Sequence, residues 1–214
     1  MGSAVIGGIG VATLAQVRHP REVPFAALPA LFAVHQFTEG LVWLGLQGRI
    51  PDAVGDAAAY AYLLYAQGIV PVLVPLAVLL IEPTRWRRLA VAPFLAIGLA
   101  AGGYLFWVDI AHPVGYRIVH HSIAYENSGA LVGVFAVAYV IATCGAALFS
   151  GYPWIVVFGV ANLVALAVTL IVLAAAFTSV WCFAAALLSV LVLLFFLRTR
   201  RREPGAAPSE SVGC

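Results

Sequence analysis

Of the 214 residues, 64% are hydrophobic and 9% are charged, against roughly 45–50% apolar and about 25% charged in soluble domains, so a water-soluble fold has too little polar surface to cover itself. The formal net charge is +2, and all eleven basic residues are arginine. With no lysine, a retinal Schiff base is excluded, and arginines placed at helix ends and in the tail rather than on one basic face argue against nucleic-acid binding.

A membrane-crossing helix needs about 20 mostly apolar residues, and charged breaks and turn residues divide the chain into seven such stretches. Ser3–Val17 is short and rich in glycine; lacking the basic start of a signal peptide, it is expected to be a retained first helix. Pro24–Gln47 and Asp56–Ile81 follow, and Pro71 and Pro75 imply a kink in the third helix that frees backbone carbonyls. Trp86–Trp107 leads into a long connection, Asp109 to Glu126. There Pro113 and Gly115 open a segment whose Tyr116, Ile118, Val119, Ile123 and Tyr125 have the β-branched and aromatic character of strands. It is expected to form a hairpin or lid, with a flexible loop as the alternative. Asn127–Phe149, Trp154–Phe177 and Ser179–Leu197 complete the set, and the Pro/Gly/Ser/Ala-rich tail that follows is expected to be disordered.

The expected fold class is an all-α membrane protein, a seven-transmembrane-helix bundle over residues 1–200 with a disordered cytoplasmic tail over 201–214. Arg18 and Arg21, then Arg85, Arg87 and Arg88, then Arg198, Arg200, Arg201 and Arg202 fall on alternate connections. The positive-inside rule makes that side cytoplasmic, with the N-terminus and the long loop outside. Cys144, Cys182 and Cys214 form no evident framework and are expected to be free thiols.

Eight of the nine acidic residues can be placed at membrane edges, in loops or in the tail; Glu39 cannot. His35, one turn earlier, is the only histidine far from a predicted edge. At 1.5 Å per residue from Pro24, His35 reaches about the bilayer midplane, with Glu39 about 6 Å nearer the outer surface. The i, i+4 spacing puts both on one face, with Phe32, Gln36 and Trp43 on or beside it. An ionisable group at this depth costs on the order of 3 kcal/mol, so the pair is expected to face an interior or cavity. Three roles fit it: polar glue between helices, two ligands of a divalent metal completed by His112, His120 or His121 from the loop, and a site for a polar ligand or a proton relay.

Other polar groups gather in the outer half: Tyr60, Tyr62, Tyr65 and Gln67; Glu126, Asn127 and Ser128; Thr178, Ser179, Trp181 and Cys182. An interfacial aromatic belt accounts for Tyr60, Tyr62 and Trp107. Tyr139 and Asn162 lie near mid-depth, and the Asn162 amide, which requires a partner there, is expected to face the same interior as Glu39. His120 and His121, taken as strand neighbours, would point to opposite faces, so that at most one joins a given site.

The stretch REVPFAALPALFAVHQFTEGLVWLGLQG, together with Trp181, Cys182 and Phe183, resembles a family of small bacterial seven-helix membrane proteins known as a domain of unknown function. The likeness covers about Gly10 to Leu197. The family's second helix carries a Gln-Gln or His-Gln pair, then Glu-Gly and a Trp, matched by His35, Gln36, Glu39, Gly40 and Trp43. Its members often open with a Cys-Phe-Ser segment, where this chain has Met1-Gly2-Ser3. The resemblance implies the architecture, a bacterial inner (plasma) membrane location and a site at Gln36, Glu39 and Trp43, but no reaction.

The expected function is binding or sensing through an outward-opening intramembrane pocket lined by His35, Gln36, Glu39, Trp43, Tyr65, Gln67, Asn162 and Trp181. Its ligand would be a small polar molecule, a lipid headgroup or a metal ion, the last held by His35, Glu39, His120 and His121. One alternative is a metal-dependent, hydrolase-like intramembrane enzyme with Glu39 as catalytic acid/base. A second is a proton-coupled small-solute transporter, although no repeat relates the first three and last three spans.

Overall fold

The computed structural model describes residues 2–119, 121–126, 129–173 and 177–202. Its helices are α1 (Gly2–Leu14), α2 (Val23–Leu46), α3 (Asp52–Leu63), α4 (Val70–Ile81), α5 (Arg85–Ala111), α6 (Val132–Leu148), α7 (Pro153–Leu173), α8 (Phe177–Leu188) and α9 (Val190–Arg202). A π-helical turn, Leu64–Ile69, joins α3 to α4, and α8 passes into α9 across Ser189, so these segments make seven rods. Five of the rods, Pro20–Leu46, Asp52–Ile81, Arg85–Ala111, Pro153–Ile171 and Phe177–Arg200, are long and apolar enough to cross a membrane. They mark the chain as a membrane protein. Large side chains such as Val11, Val134 and Ile171 are exposed on the bundle, a surface suited to lipid rather than water. The other two rods are shorter than the expected spans: α1 has 13 residues and α6 has 17. At 1.5 Å per residue α1 is about 20 Å long, less than a hydrocarbon core of about 30 Å.

Local chemistry sets the boundaries. Gly48, at φ +67°, ends the turn after α2, in the left-handed region that glycine enters without a Cβ clash. Pro51 precedes α3, whose first residue, Asp52, complements the positive end of the helix dipole. The helices then cross closely at glycines. A Cβ on Gly45 of α2 would lie 2.8 Å from the Cα of Gly55 in α3. Along α5, a Cβ on Gly98 would lie 1.9 Å from the carbonyl oxygen of Pro71, and one on Gly102 would lie 2.5 Å from that of Gly68. Pro75 has no N–H for the Pro71 carbonyl four residues back. The Pro71 carbonyl thus lacks its usual helical donor, and the glycine face of α5 packs against it and against the π turn.

The arginine-bearing connections gather at one end of the bundle. Arg200 pairs with Glu22 and donates to the Gln16 carbonyl at 3.0 Å. Arg88 donates to the carbonyls of Glu82 and Pro83, at 2.7 and 3.2 Å. Glu82, expected at a membrane edge, is fully buried and accepts from the Ser150 hydroxyl and, at 2.8 Å, from the Gly151 N–H. It clasps the α6–α7 connection to the end of α4. Residues 203–214, including Cys214 and most of the expected tail, lie outside the described residues; the helix itself runs to Arg202, two residues beyond the expected boundary at 200.

The long connection forms a hairpin at the other end, β1 (Gly115–Val119) against β2 (Ser122–Glu126), in antiparallel register from Gly115 opposite Glu126 to Val119 opposite Ser122. His121 therefore lies in the turn rather than in a strand, and His120 lies outside the described residues. Ile123 is completely buried against Val42 of α2 and Ala58 and Ala59 of α3. Tyr116 donates its hydroxyl hydrogen to Asp56, and Arg117 bonds Glu126 at 2.9 Å. Because α5 continues for a turn beyond Trp107, Asp109 is a helical residue with no exposed surface, not the loop residue expected.

Candidate functional site

Polar groups concentrate beneath the hairpin because α2, α3 and α8 converge there. On α2, His35 and Glu39 are 3% and 6% exposed, an inward orientation set by their one-turn spacing. Their environments differ. Glu39 accepts a hydrogen bond from the Gln36 amide at 3.3 Å through one carboxyl oxygen; its other oxygen is buried without a hydrogen-bond partner. The side chains of Ser179 and Tyr62 stand beside the carboxyl. Glu39 lines a groove of about 450 Å³ together with Gln36, Gly40 and Trp43 of α2, Ser179, Val180 and Phe183 of α8, and His121 and Ser122 of the hairpin.

His35 does not line that groove. Its ring lies against Tyr62, with centroids 3.9 Å apart and planes 12° apart, and tilted against Tyr65 at 4.7 Å. Tyr62 in turn stacks on Tyr125 of the hairpin at 4.9 Å and 14°. Both imidazole nitrogens of His35 and the hydroxyls of Tyr65 and Tyr125 are buried without hydrogen-bond partners. Tyr62 is thus no interfacial belt residue: it has no exposed surface, whereas Tyr60 and Trp107 are 37% and 56% exposed.

The remaining expected site residues fall elsewhere. Gln67, Trp181, Tyr139 and Cys182 line a second cavity of about 410 Å³ with Leu105 and Tyr125. Asn162 donates to the Phe158 carbonyl at 2.9 Å and borders a small void of about 30 Å³ with Tyr139, Cys144 and Trp181, so the amide and Glu39 do not share one chamber. Asn127 and Ser128 lie outside the described residues. Cys144 and Cys182 are buried free thiols. Among the described residues, no three His, Cys, Asp or Glu side chains group closely enough to hold a metal ion; His121 reaches the Glu39 groove, while His112 bonds the Val108 carbonyl at 3.3 Å.

The chemistry available at the groove is a carboxyl oxygen without a hydrogen-bond partner, an amide, two serine hydroxyls and an imidazole, framed by Trp43 and Phe183. Sequence reasoning singled out Glu39, Gln36 and Trp43 but missed Ser122, Val180 and Phe183. The one-turn spacing of Ser179 and Phe183 was the signal available for the α8 wall.

No curated protein and no solved structure matches the chain. Residues 1–209 match a family described as a family of unknown function, DUF6629, and the chain belongs to that family.

Proposed function

We propose that this is a bacterial inner-membrane protein that crosses the bilayer seven times with its C-terminus in the cytoplasm, and that it binds the hydrogen-bond-donating head of a small polar molecule or lipid in the Glu39 groove, in a binding or sensing role. The observation that carries the proposal is Glu39, a residue only 6% exposed, with one carboxyl oxygen buried and unpartnered in the wall of a groove of about 450 Å³. A buried acceptor without a partner costs about 1–3 kcal/mol, and a ligand N–H or O–H removes that cost. Trp43 and Phe183 add aromatic faces that favour a protonated amine.

The test is thermal unfolding in nanodiscs of amine-headed, choline-headed or glycerol-headed lipid, for the wild type and Glu39→Gln. The amide keeps the size of the side chain and can still accept a hydrogen bond. The wild type should be stabilised selectively by the amine-headed lipid, and the variant should fold yet lose most of that selectivity. Equal responses of the two proteins to every lipid would overturn the assignment. The orientation rests on the arginines gathered at one end of the bundle. Reporter fusions after Arg202 should report cytoplasm and fusions between Pro113 and Ser122 the outside; the opposite pattern would invert the topology.

A further inference from the structure

The second cavity has no wall residue in common with the Glu39 groove, because α8 separates them. Ser179, Val180 and Phe183 face the groove, whereas Thr178, Trp181 and Cys182 face the cavity. Its volume of about 410 Å³ falls within the roughly 300–1,000 Å³ of small-molecule sites. Leu105, Val132, Ala136 and Phe177 make much of its lining apolar. Two lining side chains have buried donors without partners: the indole N–H of Trp181, a residue 7% exposed, and the hydroxyl of Tyr125. An indole N–H can only donate, so Trp181 requires an acceptor. No arginine or histidine is among the described lining residues, and the single carboxylate, Glu126, is exposed and already bonded to Arg117. Among the described lining residues, none is therefore an unpaired charge that could neutralise a bound ion. The small void deeper in the bundle shares Tyr139, Trp181 and Cys182 with it, which extends the apolar space toward Asn162.

We propose that this cavity is a second site, which takes an uncharged, largely apolar molecule and holds its carbonyl oxygen with the Trp181 indole N–H and the Tyr125 hydroxyl. Quinones and fatty-acyl esters both present that chemistry. The inference is independent of the role assigned to Glu39.

The experiment titrates delipidated, purified full-length protein with a short-chain naphthoquinone and, separately, with a diacylglycerol. Calorimetry measures binding to the wild type, Trp181→Phe and Tyr125→Phe. One of the two probes should bind saturably to the wild type, and its identity assigns the source of the carbonyl. Each substitution removes one donor and should weaken binding about five- to tenfold. Tyr125→Phe keeps the ring that stacks on Tyr62, so it carries the test should Trp181→Phe not fold. Failure of both probes to saturate, or wild-type affinity in Tyr125→Phe together with any folded Trp181→Phe, would overturn the proposal.

Discussion

Gly98→Ala is the sharpest test of how the bundle is held together. The added methyl would stand 1.9 Å from the Pro71 carbonyl oxygen and 2.9 Å from its carbon, where ordinary contact begins near 3.4 Å. The obstacle is backbone, so no side-chain rotation relieves it, and α5 would have to withdraw by about 1.5 Å, the difference between 3.4 and 1.9 Å. That withdrawal also opens the Gly102 contact one turn further along. Overpacking typically costs about 1–3 kcal/mol, and a backbone clash belongs at the upper end. At about 2–4 °C per kcal/mol for a chain of this size, the melting temperature should fall by roughly 6–12 °C. Gly103→Ala is the control, because its methyl meets nothing within 4 Å and alanine is the better helix former by about 1 kcal/mol. The assay heats detergent-solubilised protein and measures the folded fraction by fluorescence-detected gel filtration. A Gly98→Ala protein that melts with the wild type, or a Gly103→Ala protein that falls as far, would refute the packing argument.

Glu82→Ala should leave the Ser150 hydroxyl and the Gly151 N–H without their acceptor, at roughly 1–3 kcal/mol for each group that stays buried; an unchanged melting temperature would show that the α6–α7 connection does not depend on the clasp. Burial, followed by the hydrogen bond to Asp56, raises the Tyr116 phenol to about 12, above the ordinary value of about 10. Above pH 10 the unfolded chain loses this proton while the folded chain keeps it, so the contribution to stability is complete below pH 10 and is lost as pH rises to 12. Difference absorbance titration of the wild type against Tyr116→Phe should show one phenol ionising near pH 12; a lost phenol that ionises near 10 would contradict the contact.

Segments with an unambiguous hydropathy signal could be read from sequence, because lipid demands length and apolarity and little else. The hairpin was also legible, through the β-branched and aromatic residues around Ile118 and Ile123. Its turn was harder, since the sequence between Val119 and Ser122 has no glycine or asparagine to mark it. Asp109 was misplaced because nothing in the sequence stops α5 at Trp107; Pro113, four residues after Asp109, is the first strong breaker. Tyr62 was assigned with Tyr60 although helical periodicity separates them: Tyr62 shares its face with Ala58, Ala59 and Ala66, all buried, and Tyr60 does not. Glu39 stood out by its cost in lipid alone. The division of the polar residues into two chambers was harder to read, because Thr178, Ser179, Trp181 and Cys182 are near neighbours in sequence and the chamber each one faces depends on how α8 is rotated against α2 and α3.

The platform under the hairpin has a consequence for biogenesis. Val42, Ala58, Ala59 and Tyr62, which receive Ile123 and Tyr125, all belong to α2 and α3, paired at the Gly45–Gly55 crossing. Synthesis runs from the N-terminus, so this seat is complete some 50 residues before the hairpin is made. The hairpin can then dock on a finished surface as soon as it emerges, without waiting for the last helices, and the walls that α8 contributes are added afterwards to a roof already in place.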